Sequence, residues 1–344
     1  MRAAVLRGAE DLVVTEAPDP GRPGPGWVAV RPAVVGLCGS DLHHFHGDGG
    51  QEAYPRILGH EFSGVVEELG PGVDRPELAP GARVVVWPLE SCGRCPSCRT
   101  GRENACYELV ITGVHRDGAL AERILMPAER VFATSAAPDV AAFIEPLSVA
   151  VHALAIAGVD RDSRAEGLTA VVVGAGPIGQ AAVLALTEWG ARVAVVDPAE
   201  QRRQLALRLG AETGLWAEAD ALVELARDWA DGYGADIVVD CTGAAGALDG
   251  SIAMARKTGT VLVLGLTSAR ASISPGALPH NELRVQGASC ARRQDFESAI
   301  VLAQSRADDI AQLLTHRFPL DRAGEAFATA AAAAPDVLKV LVTL

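Results

Sequence analysis

The most constraining feature of the sequence is a glycine motif between an apolar strand and a helix. The motif, Gly174-Ala175-Gly176-Pro177-Ile178-Gly179, directly follows a strand predicted over residues 170–173. The first glycine permits a tight turn, the second lets the backbone approach a pyrophosphate, and the third lets helix and strand pack closely. Free N–H groups at the helix start attract phosphates, and Pro177 is tolerated there. The motif therefore predicts a dinucleotide site.

A carboxylate at the end of the next strand indicates which dinucleotide binds. That strand is predicted over residues 192–197 and ends at Asp197. A carboxylate in this place accepts hydrogen bonds from the adenosine ribose and would face the 2′-phosphate of NADP, so we predict NAD. Arg202 could support the adenine, although a solvated helix face explains it equally well. Further cofactor contacts are expected where two later strands end, at Thr242, Leu264 and Gly265.

The texture of the chain changes twice and predicts its domain organisation. Residues 1–148 are short β-like runs separated by Gly and Pro, whereas residues 149–287 alternate strands with helices. Residues 288–344 return to mixed texture. We therefore predict an α/β protein in which a doubly wound nucleotide-binding domain (149–287) is inserted into an irregular β-rich domain (1–148 and 288–344).

Four of the seven cysteines are clustered and predict a metal site. Their spacing, in a lobe over residues 88–107, suits one tetrahedral zinc ion bound only by thiolates: Cys92, Cys95, Cys98 and Cys106. Such a closed site has no position for substrate, so its role would be structural, contributing on the order of 10 kcal/mol to local ordering. An iron–sulfur cluster and a nucleic-acid-binding zinc ribbon are the alternatives, and both are less favoured.

Charge and composition limit the partners of the chain. The formal net charge is −13, and no run of Lys and Arg is present, so nucleic acid is an unexpected partner. The first residues lack the apolar core of a secretory signal, and the most apolar region, residues 168–186, is interrupted by Gly and Pro. The odd number of cysteines argues against a disulfide framework. We therefore expect a cytoplasmic protein without a membrane span.

Three further segments carry residues that could bind a second zinc ion. They are Gly36-Leu37-Cys38-Gly39-Ser40-Asp41-Leu42-His43, Gly59-His60-Glu61, and Glu145-Pro146-Leu147. Taken singly, each has an ordinary explanation: a buried thiol, a core histidine, a salt-bridge partner, or a carboxylate at a helix N-terminus. Taken together they supply a thiolate, an imidazole and carboxylates, which are the ligands of an open catalytic zinc site.

With these motifs in this order, nearly the whole chain resembles the zinc-containing medium-chain alcohol dehydrogenases, and within them the polyol branch. The resemblance implies a GroES-like catalytic domain, a Rossmann domain, two zinc ions per chain and a homotetramer or homodimer. It implies that Cys38 and His60 bind the catalytic zinc, with Glu61 or Glu145 as third protein ligand. Asp41 would orient His60, and Ser40 and His43 would relay the proton of the alcohol.

The substrate is predicted from two loops. The segment Gly113-Val114-His115-Arg116-Asp117-Gly118-Ala119 looks like that of sugar-acid and polyol dehydrogenases, and the loop over residues 46–54 lacks the tryptophan pattern of threonine dehydrogenases. Arg123, where relatives often carry an aromatic residue, could signal an anionic substrate, although an exposed arginine is the simpler explanation. We expect oxidation of a secondary hydroxyl in a polyol, cyclitol or sugar acid. The alternatives are a simple secondary alcohol or butanediol dehydrogenase, and an NAD-binding sensor or scaffold without turnover.

Overall fold

The computed structural model describes residues 1–48, 53–163, 165–244, 246–267 and 270–344. Its strands are β1 (Arg2–Leu6), β2 (Leu12–Glu16), β3 (Trp27–Gly36), β4 (Arg56–Ile57), β5 (Glu61–Leu69), β6 (Arg83–Val86), β7 (Leu89–Glu90), β8 (Val110–Ile111), β9 (Ile124–Pro127), β10 (Val131–Ala133), β11 (Thr169–Val173), β12 (Arg192–Val196), β13 (Thr213–Leu215), β14 (Ala235–Asp240), β15 (Ala255–Val263), β16 (Arg284–Gly287), β17 (Leu314–Pro319) and β18 (Lys339–Thr343). Its α-helices are α1 (Gly39–His46), α2 (Pro96–Arg99), α3 (Pro138–Ala142), α4 (Ile144–Ile156), α5 (Pro177–Glu188), α6 (Glu200–Arg208), α7 (Ala219–Trp229), α8 (Ala247–Met254), α9 (Ala277–Asn281), α10 (Arg293–Ser305), α11 (Ala307–Ala311) and α12 (Ala323–Ala331).

The described residues divide into two compact units. The first consists of Met1–Glu145 and Ala299–Leu344, and the second of Pro146–Ser298. The first cut therefore falls within the opening turn of α4, and the second falls inside α10. The domain boundaries predicted from the sequence fall after residues 148 and 287. They stay a prediction.

The first unit is built around a mainly antiparallel sheet in the order β10-β6-β5-β3-β18-β17, with β9 also paired to β3. β3 is long enough to pair with β5 over most of its length and with β18 at its end. Its core holds fully buried side chains from opposite ends of the chain, such as Val30, Phe62 and Phe327. The sheet thereby brings the C-terminal strand β18 beside the strands that carry the predicted zinc ligands.

The second unit contains a six-stranded parallel sheet in the order β13-β12-β11-β14-β15-β16. The residues of β11 are buried along the whole strand, as expected when helices cover both faces of a parallel sheet. The strand order reverses between β11 and β14, so the crevice for a ligand lies at their carboxyl ends. The doubly wound fold predicted from the sequence is therefore confirmed.

Within the described part of the chain, no helix is both long enough and apolar enough to span a bilayer. Residues 49–52 of the loop used to argue against a threonine dehydrogenase lie outside the described residues. What these residues imply about threonine as a substrate therefore stays a prediction from the sequence.

Candidate metal centres and dinucleotide site

Three of the predicted catalytic zinc ligands lie together in the first unit. Cys38 directly precedes α1, His60 directly precedes β5, and Glu61 is the first residue of β5. One ligand atom from each of the three lies within 4.8 Å of the others. His60 and Glu61 are almost fully buried, whereas Cys38 is partly exposed. Two of the candidate ligands are thus buried and the third is partly accessible, as an open metal site requires.

Asp41 ties together the two segments that carry these ligands. Its carboxylate is fully buried and accepts hydrogen bonds from the backbone N–H groups of Cys38 (2.9 Å) and Gly59 (3.3 Å). Its Oδ1 lies 3.5 Å from Nδ1 of His60. Burial raises the pKa of Asp41, but the nearby His60 and these hydrogen bonds outweigh it, so the pKa lies below its usual value. Asp41 is therefore an anion placed to orient the imidazole.

The surroundings of His60 are better suited to an imidazole that binds a metal ion than to one that contacts only protein groups. Its Nδ1 is buried and makes no well-formed hydrogen bond to any described residue, and burial lowers the pKa of the ring. The neighbouring Asp41 and Cys38 reverse this and raise the pKa well above its usual value. A cation on or beside the ring would interact favourably with both Asp41 and Cys38. With Nδ1 towards Asp41, Nε2 is the nitrogen left for a metal.

Lys339 is a member of this site that the sequence analysis missed. Its ammonium group lies 2.6 and 2.9 Å from the two carboxylate oxygens of Glu61. Both side chains are almost fully buried, with 3% and 1% of their surface exposed. Glu61 is therefore the partner of a buried cation as well as a candidate metal ligand. No motif signalled this pair, because 278 residues separate its members in the chain.

Glu145 lies in the first turn of α4 and is also buried. Burial raises its pKa to about 7; His60 and Lys339 oppose the rise, and the nearby carboxylates of Glu61 and Asp41 add to it. It therefore shares an electrostatic environment with the other residues. Among the described residues, however, the group within mutual ligand distance is that of Cys38, His60 and Glu61.

Ser40 and His43, the predicted proton relay, both lie on α1. Ser40 is partly exposed. His43 has 54% of its side chain exposed, and its Nδ1 lies 3.0 Å from Oδ1 of Asp48. The helix thus carries a hydroxyl close to the candidate metal ligands and an imidazole that meets solvent.

The four-cysteine lobe has the geometry of a closed metal site. The sulfur atoms of Cys92, Cys95, Cys98 and Cys106 lie within 4.8 Å of one another, with Cys95 3.4 Å from Cys98 and 4.0 Å from Cys106. A tetrahedral site with Zn–S bonds of about 2.3 Å needs sulfur–sulfur separations of about 3.8 Å. The four residues therefore fit a zinc ion with little rearrangement.

The lobe also polarises its own thiols. Backbone N–H groups of Cys98 and Tyr107 lower the pKa of Cys95 to about 6, whereas burial and sulfur neighbours raise that of Cys98 to about 12. Further N–H groups of Cys92 and Glu108 point at the sulfur of Cys106, 3.2 and 3.3 Å away. Such N–H···S contacts stabilise negative charge on sulfur, which a zinc site needs.

In the second unit, the glycine motif makes the turn from β11 into α5. Gly174 has φ +92°, and a Cβ on Gly179 would lie only 1.8 Å from the carbonyl oxygen of Gly174. A Cβ on Gly176, in contrast, would meet nothing within 4 Å. The outer glycines are thus required by the turn and its packing, and Gly176 faces open space where a phosphate can approach. Pro177 is the first residue of the helix, followed by Ile178.

Asp197 follows β12 and reaches this turn. Its two carboxylate oxygens accept hydrogen bonds from the backbone N–H groups of Ala175 (2.7 Å) and Ala199 (2.8 Å). The carboxylate is thereby fixed beside the glycine motif. The backbone carbonyl oxygen of Arg202 accepts a hydrogen bond from the side-chain amide of Gln180, and the role of its side chain at the adenine stays a prediction.

The predicted cofactor residues after β14 and β15 pack against each other. The backbone N–H groups of Leu264 and Gly265 donate to the carbonyl oxygen of Asp240. Thr242 donates from its N–H and its hydroxyl to the Asp240 carboxylate (3.0 and 2.7 Å). A Cβ on Gly174 would lie 2.9 Å from the Thr242 methyl group. Thr242 therefore lies beside the glycine turn, at the carboxyl edge of the sheet.

Arg123 does not offer a free positive charge. It lies 3.2 Å from each of three carboxylates, those of Asp19, Glu67 and Glu68, and only 18% of its side chain is exposed. Both interpretations of this residue, as an anion-binding group and as an exposed arginine, therefore need correction. It is the centre of an ionic cluster.

Comparisons with known proteins agree with this geometry. A family model for the alcohol dehydrogenase GroES-like domain matches residues 24–136, and one for zinc-binding dehydrogenases matches residues 177–305. The chain is 33% identical over 89% of its length to the L-galactonate-5-dehydrogenase of Escherichia coli strain K12, of which 88% is covered. It is 36% identical over 96% of its length to the L-threonine 3-dehydrogenase of Saccharopolyspora erythraea, of which 96% is covered.

A solved structure gives the same result for the fold. A zinc-binding dehydrogenase from Sinorhizobium meliloti, solved with NADP bound, matches with a TM-score of 0.89 at 32% identity, covering 100% of this chain and 99% of that one. Both family models match in the expected order, and the match to named dehydrogenases extends over nearly the whole chain. The chain therefore belongs to the zinc-containing medium-chain alcohol dehydrogenases, in their polyol branch, and is an oxidoreductase that uses zinc and a nicotinamide cofactor.

Proposed function

We propose that this protein oxidises a secondary hydroxyl of a polyol, cyclitol or sugar acid to a ketone and transfers the hydride to NAD. The observation that carries the proposal is the group of Cys38, His60 and Glu61 within mutual ligand distance, in which Cys38 directly precedes the helix that bears Ser40 and His43. A sensor or scaffold would have no use for this arrangement.

Cys38, His60 and Glu61 would hold the catalytic zinc ion, and Glu145, a buried carboxylate in the same electrostatic environment, is the alternative third ligand. When bound, zinc polarises the substrate hydroxyl and lowers its pKa, as it does for water. Asp41 keeps the imidazole of His60 in one orientation. A second zinc ion would be held by the four cysteines of the lobe, where it supports structure only.

The proton released by the substrate would leave along α1. Ser40 lies two residues after Cys38 and can accept the proton, and His43 on the same helix is half-exposed beside Asp48. A solvent-exposed imidazole can accept a proton and release it to water, which suits the last step of such a relay. Ser40 and His43 are therefore the residues that we assign to proton transfer.

The preference for NAD over NADP is supported by Asp197. Both of its carboxylate oxygens are held by backbone N–H groups beside the glycine motif. It would accept hydrogen bonds from the ribose hydroxyls of NAD and repel the 2′-phosphate of NADP. Although the Sinorhizobium meliloti protein was solved with NADP, we propose NAD for this chain.

The substrate class is supported by the loop over residues 113–119. Gly113 packs on the backbone of Gly59, since a Cβ there would lie 2.5 Å from the Gly59 carbonyl oxygen. The loop is thereby held next to His60, where it can shape the surroundings of the substrate. Its likeness to the loops of sugar-acid and polyol dehydrogenases, together with the L-galactonate-5-dehydrogenase relative, favours a hydroxyl-rich substrate.

We further propose a homotetramer or homodimer in the cytoplasm, with neither nucleic acid nor a membrane as partner. The edge strand β16 supports self-association, because all four of its residues are exposed and an unpaired edge can pair with a second copy. The net charge of −13 disfavours nucleic acid. Sedimentation of the purified protein tests the oligomeric state.

The reaction is tested by following NADH absorbance with the purified, zinc-loaded protein. The panel contains polyols, cyclitols, sugar acids including galactonate, L-threonine, butanediol and simple primary alcohols, each with NAD and with NADP. We expect turnover on one hydroxyl-rich class, faster with NAD. Activity confined to primary alcohols would contradict the proposed substrate class. Activity confined to threonine would favour the function of the L-threonine 3-dehydrogenase relative. If NAD binds but no substrate is turned over, a sensor would be favoured.

A further inference from the structure

The strands of the first unit bring Glu61 and Lys339 to opposite sides of one strand. β3 lies between β5 and β18 in the sheet. Its last residue, Gly36, pairs with Glu61 of β5 on one side and with Leu341 of β18 on the other. A contact between Glu61 and Lys339 therefore passes across the end of β3, beside Gly36.

Gly36 leaves the space for that contact. A Cβ built on Gly36 would lie 2.5 Å from Oε2 of Glu61 and 3.5 Å from Cδ of Lys339. Real Cβ atoms do not approach oxygen so closely, so any larger residue would displace the carboxylate. The missing side chain of Gly36 is thus the gap through which the carboxylate reaches the ammonium group.

The ammonium group of Lys339 is fully engaged in this place. It donates to Oε1 and Oε2 of Glu61 at 2.9 and 2.6 Å and to the carbonyl oxygen of Leu37 at 2.9 Å. These three acceptors use its three protons. Leu37 directly precedes Cys38, so Lys339 also holds the segment that carries the thiol ligand.

The surroundings of this pair are dominated by negative charge. Besides Glu61, the acidic groups that act on Lys339 are the side chains of Cys38 and Glu145. A further carboxylate, that of Asp41, lies 3.5 Å from Nδ1 of His60. A buried cation in such surroundings withdraws electron density from the one carboxylate it contacts, and the metal must then compete for that carboxylate.

We propose that Lys339, acting through the gap at Gly36, is a positioning residue that limits how strongly Glu61 binds the catalytic metal. Lys339 and the metal share the same carboxylate, so Glu61 stands at ligand distance without holding the metal at full strength. The site therefore keeps a metal that is accessible to substrate. The inference rests on the proposed catalytic zinc site.

The test measures metal release in place of turnover. Five proteins are loaded with zinc, and the release of zinc to a colorimetric chelator is followed. They are wild type, Lys339→Met, Lys339→Arg, Glu61→Gln and the double variant Lys339→Met/Glu61→Gln. We expect the catalytic zinc of Lys339→Met to leave about tenfold more slowly, the scale on which neighbours of ligands alter metal affinity. Lys339→Arg should stay close to wild type. Zinc in the four-cysteine lobe, which leaves in a separate phase, is the control within each protein.

The double variant shows whether the effect passes through Glu61. We expect Lys339→Met to change release less than twofold when Glu61 is already Gln. A second readout is the visible spectrum of the cobalt-substituted protein, which should indicate an added oxygen ligand in Lys339→Met and none in the double variant. This readout stays useful if Lys339→Met is less stable than wild type.

The possible failures are distinguishable. An unchanged release rate and cobalt spectrum in Lys339→Met, with only a lower melting temperature, would show that the pair is merely structural. An equal effect with Gln at position 61 would show that Lys339 acts on the metal by charge alone. Either result overturns the inference, whereas a wild-type protein that binds only the lobe zinc overturns the proposed catalytic site itself.

Discussion

The two cysteine-bearing sites of the first unit differ in how the chain assembles them. The lobe takes all four ligands from one short segment, Cys92 to Cys106, and its turns and N–H groups arrange the sulfur atoms locally. The other site draws on α1, β5, α4 and β18, whose side chains meet only when the sheet has formed. The first site can therefore fold as a unit around its metal, whereas the second depends on the packing of the whole domain.

This difference decides what a metal contributes in each place. In the lobe, few apolar side chains are buried between residues 90 and 107, so a bound metal would supply most of the order. In the other site, hydrogen bonds from Cys38 and Gly59 to Asp41 and the ion pair of Lys339 already fix the ligands. Loss of metal there should cost chemistry and leave the fold in place.

The largest effect is expected from breaking the lobe. Cys95→Ser should remove the structural zinc and lower the stability of the lobe by a large part of the roughly 10 kcal/mol that such a site contributes. Limited proteolysis should then cut within residues 88–107, and thermal unfolding should begin earlier. Cys290→Ser, which changes a cysteine outside both sites, is the matched control. Equal proteolysis of the two variants would contradict the assignment of the lobe.

Disrupting the site of Cys38, His60 and Glu61 should abolish activity and leave stability nearly unchanged. Cys38→Ser should lower kcat/KM by about a thousandfold or more, because the several kcal/mol of metal assistance are lost, while circular dichroism and melting temperature stay close to wild type. Steady-state kinetics and melting curves on one preparation check this. If activity survives in Cys38→Ser, the metal assignment is wrong, whereas unfolding would show that both sites are structural.

A third change tests whether the cofactor site is independent of both metals. Asp197→Ala should raise KM for NAD about ten- to a hundredfold, because the ribose loses a charged acceptor and the N–H groups of Ala175 and Ala199 lose theirs. The ratio of kcat/KM with NAD to kcat/KM with NADP should decrease. Kinetics with both cofactors provide the measurement, and metal content should stay at the wild-type value. An unchanged ratio of NAD to NADP would remove Asp197 from cofactor selection.

The smallest effect is a pH dependence in the second unit. Burial raises the pKa of Asp295, but hydrogen bonds from His152 (2.6 Å) and Arg292 (2.8 Å) outweigh it and leave the pKa below its usual value. A carboxyl of this kind stabilises the fold above its unfolded pKa, near 3.9, and the contribution is lost as the pH falls through the lower folded pKa.

Asp295→Asn should therefore be about 1–2 kcal/mol less stable than wild type at neutral pH, and the difference should shrink below about pH 4. Denaturant unfolding at several pH values measures it. A difference that stays constant with pH would show that the carboxylate charge is not what stabilises α4 against α10. Both metal sites should keep their zinc at neutral pH.

The parts of the molecule that sequence predicts well are those whose cause is local. The doubly wound sheet follows from alternating apolar strands and helices, and the turn at Gly174–Gly179 follows from contacts within six residues. The short spacing of the four cysteines in the sequence is enough to predict that their sulfur atoms lie together in the lobe. In the glycine turn and in the lobe the residues that interact are also neighbours in the chain, and in the sheet each strand and helix is encoded by its own local pattern.

The parts that sequence missed depend on distant partners. Lys339 reads as one polar residue in an apolar strand until β18 is paired with β3. Arg123 reads as an exposed or anion-binding residue until β5 supplies Glu67 and Glu68. The choice between Glu61 and Glu145 likewise depends on distances between α4, β5 and β18, which no motif contains.

The most direct test of this account is the zinc content of three proteins, measured by mass spectrometry on the same preparations that are assayed for NADH formation. We predict two zinc ions per chain in wild type and one each in Cys38→Ser and Cys95→Ser. The zinc retained in Cys38→Ser should accompany a stable but inactive protein, and the zinc retained in Cys95→Ser should accompany a destabilised lobe. A single zinc ion in wild type, or undiminished activity in Cys38→Ser, would contradict the account.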